Sequence, residues 1–168
     1  MSAASSSSSR NAIRRLLKEL ETWNNVESAG EEGIERLGPV SEDQLLNWEA
    51  VINGRGVGHG YDHGRWLLRI TVPPTYPLQP PQIAFATPIV HPNVHLQTGE
   101  ICLDLLKDAW SPVYSVLECV RAIRVLLATP GLESPFNVDV AALLQKGDVL
   151  GARGLVELWV DEKRYEGK

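Results

Sequence analysis

Apolar residues recur along this chain in two rhythms, and the change from one to the other marks its elements. Ile13, Leu16, Leu17, Leu20 and Trp23 or Asn24 keep the spacing of one helical face, which predicts a helix near residues 10–24 with Ser9 available as its N-cap. Glu27 to Arg36 is rich in Gly and Glu and reads as a loop into a short strand around Ile34 to Leu37. The rhythm then shortens to two. Leu46, Trp48, Ala50 and Ile52 alternate with Asn47, Glu49, Val51 and Asn53, and Trp66, Leu68, Ile70 and Val72 alternate with Leu67, Arg69 and Thr71, as in half-buried strands.

Between these strands the five glycines of Gly54–Gly64 predict a flexible hairpin connection. It opens no helix, so it does not fit a phosphate cradle. The five prolines of Pro73–Pro81 cannot donate to a sheet ladder, so the sheet pauses there before a short fourth strand, Gln82 to Phe85. Helical spacing returns in Val116, Cys119, Val120, Ile123, Leu126 and Leu127 and stops at Thr129-Pro130-Gly131. Two further helices are predicted, Val138 to Gln145 and Val149 to about Lys163. The order predicts an α+β domain, a four-stranded antiparallel meander with an N-terminal helix and C-terminal helices. Residues 1–9 read as a disordered Ser-rich tail and 10–168 as a single domain. No internal repeat is present.

Composition narrows the function classes. A formal net charge of −5 makes nucleic acid an unexpected partner. No apolar run approaches the ~20 residues of a membrane span, so any membrane association is expected through a partner. With no secretory leader evident, two cysteines make no disulfide framework and predict a reducing compartment, the cytoplasm. The first fifteen residues, Ser-rich and acid-free with three arginines, also resemble the start of a transit peptide, but acidic Glu19 and Glu21 continue the helix.

The candidate chemistry centres on His91-Pro92-Asn93 and the irregular run that ends at Cys102. Cys119 lies on an apolar helix face, where a thiol is normally inert packing, whereas Cys102 follows a polar, Gly-containing loop and can be reached. No Lys or Arg lies within four positions of Cys102, so sequence predicts a weakly activated nucleophile. A thiol hydrolase would need His91 or His95 as base with Asn93 orienting it, a geometry the Pro at 92 leaves unprepared. His91, His95 and Cys102, or His59 and His63, could also be metal ligands, but they sit in Pro- or Gly-containing non-helical stretches. No metal and no cofactor are expected.

The segment from His91 to Asp104, with Trp110-Ser111-Pro112 after it, resembles the active-site segment of the ubiquitin-conjugating enzymes. Tyr76-Pro77-Leu78-Gln79-Pro80-Pro81, Leu46–Ala50 with Ile52-Asn53-Gly54, and Ser134-Pro135 after Pro130 extend the resemblance over about residues 10–160. It implies that Cys102 accepts ubiquitin from an activating enzyme as a thioester and passes it on with a RING-type ligase, in an ATP-dependent pathway. Asn93 would steady the developing oxyanion or the loop around it, and His91 and Pro92 would shape that loop. Ser134 stands where many members carry an acid that orients the acceptor, a task that would fall to the ligase, Asp104 or Asp139. The loop from Asn93 to Cys102 is one residue longer than is common.

The resemblance also implies one docking surface for activating enzyme and ligase, built from Arg14, Arg15 and Lys18 on the first helix, Tyr76, Pro77 and Leu78 on one loop, and Ser111, Pro112 and Val113 on another. Within the family, Cys102–Lys107, Ser134–Val140 and Lys146-Gly147-Asp148 resemble the peroxisomal enzymes of fungi. That implies the cytosolic face of the peroxisomal membrane, a membrane-anchored partner, and the import receptor as substrate. A non-catalytic ubiquitin-binding variant of the fold and a carrier of a ubiquitin-like modifier remain the alternatives.

Overall fold

A computed structural model describes residues 2–168. Its elements are α1 (Ser2–Ala29), β1 (Ile34–Pro39), β2 (Asn47–Asn53), β3 (Arg65–Thr71), β4 (Gln82–Phe85), α2 (Val116–Ala128), α3 (Val138–Gln145) and α4 (Val149–Lys163), with a 3₁₀ turn at Asp104–Leu106. The four strands form one antiparallel sheet in the order β1-β2-β3-β4, the meander that the order of elements predicts. Trp48 pairs with Ile70 and Ile52 with Trp66, so the inward residues of β2 and β3 stack in register. A bulge between Ile34 and Arg36 shifts the register of the edge strand β1.

The helix starts differ in physical origin. Ser115 and Glu118 form a reciprocal capping box on α2, Asn137 caps α3 and Asp148 caps α4, each side chain accepting from an N–H that the helix itself leaves unpaired. In contrast, α1 extends well beyond the predicted 10–24. Residues 2–9, expected as a disordered tail, continue the helix, and Ser9 lies inside it instead of capping it. Once a helix is nucleated, each added residue costs little, and serine is only mildly unfavourable. The Ser8 hydroxyl also donates to the Pro74 carbonyl at 3.0 Å, tying this extension to the loop after β3. Met1 lies outside the described residues.

One buried cluster runs from Ala12 on α1 to Val160 on α4 and contains Trp23, Trp48, Trp66 and Phe85. The face that α1 buries is rotated from the predicted one: Ala12, Leu16 and Trp23 are inside, whereas Leu17 is 50% exposed. The Gly54–Gly64 connection, expected to be flexible, is packed down. Tyr61 is buried, and its hydroxyl donates to the Val90 carbonyl at 2.6 Å. Gly54 is required there because a Cβ would collide with the Tyr61 carbonyl. The C-terminal segment crosses the same hairpin: the Tyr165 amide donates to the Arg65 carbonyl, and the Arg65 guanidinium donates back to the carbonyls of Tyr165 and Gly167. Among the described residues no helix is long and apolar enough to cross a membrane.

The rotated helix face is testable by paired truncations. Trp23→Ala is expected to cost about 3–5 kcal/mol in urea unfolding, and Leu17→Ala less than about 0.5 kcal/mol. Equal costs would put the face back where the apolar spacing alone places it.

Candidate active site

The chain between β4 and α2 has almost no regular structure, so its polar groups are held by long-range partners. His91 is fully buried. One ring nitrogen, Nε2, lies 2.9 Å from the Leu126 carbonyl on α2, and the other, Nδ1, accepts the Asn93 amide at 3.0 Å. That pair of contacts sets the neutral tautomer with its proton on Nε2. Desolvation pushes its pKa from 6.5 down to about 4, so the ring is neutral near pH 7. With both nitrogens occupied, His91 is neither a free base nor a free metal ligand.

Asn93 is buried beside it and makes a two-way clasp with a single residue of the α2–α3 loop. Its Nδ2 donates to the Gly131 carbonyl at 2.8 Å, and its Oδ1 accepts the Gly131 amide at 2.8 Å. The Asn93 carbonyl in turn accepts the Cys102 amide at 2.8 Å, after the bridge between Val94 and Ile101. The loop between them closes on itself. The Gly99 amide donates to the His95 carbonyl, and His95 Nδ1 accepts the amides of Gln97 and Thr98. Gly99 has φ +74° and lies so close to the Phe85 carbonyl that a Cβ would collide with it, which is why this turn needs glycine. Pro92 is buried, and its carbonyl accepts the amides of Phe136 and Asn137, binding the two loops together again.

Cys102 emerges from this frame as a partly exposed free thiol, while Cys119 is buried on α2. Desolvation, aided by the charges of Glu19 and Glu118, pushes the Cys119 thiol up to about 12. The side chains of Asp104, Ser134 and Asp139 are exposed. Phe136, which the sequence did not single out, sits between His95, with ring centroids 6.4 Å apart, and the Lys107 ammonium, 5.8 Å from its ring centre. Among the described residues no group of three or more His, Cys, Asp or Glu is placed to hold a metal ion.

The helix and the two loops expected to carry a docking surface are tied to one another, but not all of the named residues present side chains. Leu78 and Val113 are each 78% exposed, Pro112, Arg14 and Lys18 are exposed, and Pro77 and Ser111 are half-buried. Trp110 Nε1 donates to the Pro77 carbonyl at 2.9 Å and so joins the two loops. Tyr76 corrects the expectation: it is 1% exposed, its ring packed against Trp110 and its hydroxyl donated to Glu19. Arg15 also departs from a free basic face. It donates to Glu19 at 2.9 Å and to the Tyr114 carbonyl at 2.8 Å, with its guanidinium over the Tyr76 ring. Glu19 itself, read from sequence only as an acid on the helix, went unrecognised because all its partners except Arg15 are distant in the chain.

A family model described as ubiquitin-conjugating enzyme matches residues 15–150. The chain is 66% identical over 168 residues to the ubiquitin-conjugating enzyme E2 PEX4 of Gibberella zeae, covering 99% of this chain and 97% of that protein. It is 45% identical to protein PEROXIN-4 of Arabidopsis thaliana over 70% of this chain and 74% of that one. The crystal structure of the H. polymorpha ubiquitin conjugating enzyme Pex4p in complex with the soluble domain of Pex22p is similar with a TM-score of 0.85 at 33% identity, covering 92% of this chain and 99% of that chain.

Two measurements check the site. A maleimide reagent is expected to label one thiol of the native protein, lost in Cys102→Ala, with Cys119 labelled only on unfolding; rapid native labelling of Cys119 would contradict its burial. For His91, the unfolded ring takes up a proton below pH 6.5 and the folded ring only near pH 4, so its contribution is present above 6.5 and lost as pH falls toward 4. The drop in unfolding free energy between those two pH values should be smaller by about 3 kcal/mol in His91→Gln than in the wild type. Equal drops would mean that the ring is not desolvated.

Proposed function

Since this chain belongs to the ubiquitin-conjugating enzymes, a family of transferases, on its Pex4 branch, we propose that Cys102 carries ubiquitin as a thioester and passes it to an acceptor. The observation that carries this reading is the contrast between the two thiols: Cys102 is reachable on a pinned loop, and Cys119 is buried and held protonated. In charging, the Cys102 thiolate attacks the carbonyl of ubiquitin's thioester with the activating enzyme. A new S–C bond forms, and the activating enzyme's sulfur leaves as a thiolate that takes up a proton equivalent to the one Cys102 gave up. In transfer, an acceptor amine or thiol attacks the same carbonyl, loses its proton, and the Cys102 sulfur departs.

Asn93 serves this chemistry first by holding the loop, since one amide hydrogen and the carbonyl oxygen are committed to Gly131. Its second Nδ2 hydrogen is the one available to the developing oxyanion, a contribution of about 2.7–4 kcal/mol where such a donor is well aimed. Ser134 supplies no charge, so orientation of the acceptor falls to the ligase or to the exposed carboxylates of Asp104 and Asp139.

The face that carries Arg14, Lys18, Leu78, Pro112 and Val113 receives the activating enzyme and a RING-type ligase in turn. Its exposed apolar and proline side chains suit that contact. The enzyme works at the cytosolic face of the peroxisomal membrane with the import receptor as acceptor; the peroxin names of the relatives support the peroxisomal part of this reading. A partner corresponding to Pex22p, of which a "soluble domain" was crystallised, would hold the enzyme there.

The test is a charging assay with activating enzyme, ATP and ubiquitin on non-reducing gels. A thiol-sensitive adduct is expected in the wild type and Cys119→Ala and absent in Cys102→Ala. An adduct only with a ubiquitin-like modifier would redirect the reading to that cargo, and none with either would favour a non-catalytic member of the fold.

A further inference from the structure

Glu19 is a carboxylate on a helix flank whose side chain is only 9% exposed, yet it makes no use of water-facing space. Three donors from three segments converge on it. The Tyr76 hydroxyl comes from the loop after β3, the Val116 amide from the first turn of α2 at 2.9 Å, and the Arg15 guanidinium from one turn earlier on α1 at 2.9 Å. Val116 N–H is one of the donors a helix start leaves unpaired, and an anion there also meets the positive end of the α2 dipole. Tyr76 precedes Pro77 and Leu78, and Val116 follows Ser111–Ser115, so this one side chain sits at the root of both loops.

We propose that Glu19 is a positioning residue for the docking of the activating enzyme, holding the Leu78 loop and the Pro112–Val113 loop in register with the basic face of α1. The inference rests on the reading of that face as a docking surface and adds to it the buried group that assembles it. The exposed loop tips have few packing partners of their own: Trp110 links the two loops to each other through the Pro77 carbonyl, and Arg15 reaches the Tyr114 carbonyl while it is itself oriented by Glu19. A surface built from three separate segments binds well only when they are ordered before the partner arrives, because ordering them on binding subtracts from affinity. Glutamine keeps the size of Glu19 but has a single acceptor oxygen, so it cannot serve Tyr76 and Arg15 on one oxygen and Val116 on the other.

The experiment uses the full chain and separates binding from chemistry. In steady-state charging by the activating enzyme, Glu19→Gln is expected to raise the KM for this protein roughly tenfold with kcat unchanged. Discharge of the preformed Cys102 thioester to free lysine, without any ligase, should stay within about twofold of wild type, since no reacting group has moved. Tyr76→Phe removes one donor and should raise KM by a smaller factor, with kcat again unchanged; it decides the matter if Glu19→Gln does not fold. An unchanged KM, or KM, kcat and unaided discharge impaired together, would overturn the proposal. Wild-type protein that cannot be charged would instead overturn the carrier reading. Amide exchange then still tests the geometry, with faster exchange at Leu78 and Val116 in Glu19→Gln expected and unaltered exchange opposing it.

Discussion

The segment between β4 and α2 has no ladder of its own, and this constraint governs the rest of the molecule. From Ala86 to Ser115 the chain passes through the interior and back to the surface with only isolated bridges and one 3₁₀ turn. A buried polar backbone without partners would cost more than the apolar contacts of such a segment could return. The partners come from the surrounding helices and loops: Leu126 on α2 for His91, Gly131 for Asn93, Phe85 for the turn at Gly99, and Tyr61 of the hairpin for Val90. Among the described residues, Arg36 Nε is the sole buried side-chain nitrogen or oxygen without a partner, and it lies on the sheet away from this segment.

A second buried polar group organises the opposite edge of the same segment. Burying a carboxylate is unfavourable unless its oxygens are well satisfied, and Glu19 meets that condition with an aromatic hydroxyl, a helix-start amide and a guanidinium. Burial and this contact together push the Tyr76 hydroxyl far above its ordinary pKa, so it remains a donor throughout the working range. Polar contacts therefore fix where the site lies, and apolar burial supplies the bulk of the cohesion around it. The two clasps act on different ends of one stretch of chain, His91 and Asn93 near its start and Glu19 at its exit.

Much of the fold was legible because it obeys short-range rules. Period-two alternation placed β2 and β3, the pause at the prolines of 73–81 set off β4, and the break at Thr129-Pro130-Gly131 bounded α2. The phase of α1 was harder. Ile13, Leu16, Leu17 and Leu20 offer two nearly equivalent stripes, and the choice between them depends on Trp23 fitting the core and Glu19 finding donors far away in sequence. Tyr76 failed for the same reason: its place in a proline-rich loop suggests the surface, and only the three-dimensional arrangement reveals the carboxylate that draws it in. Cys102 and Cys119 were separable from sequence because exposure followed from local pattern, an apolar helix stripe against an irregular polar loop. The clasp of Asn93 on Gly131 was not, since nothing local to either residue points to the other.

A loop pinned at His91, Asn93 and Gly99 has a mechanical corollary. If Cys102 carries ubiquitin as proposed, its backbone is presented at a set point of the frame and not on a free arm. On that reading, whatever distance separates the carried group from its destination would be closed by the cargo and by the way the recipient is presented. Tolerance for recipients of different shape would then be a property of the assembly around the enzyme, and the enzyme itself would contribute a stationary point of departure.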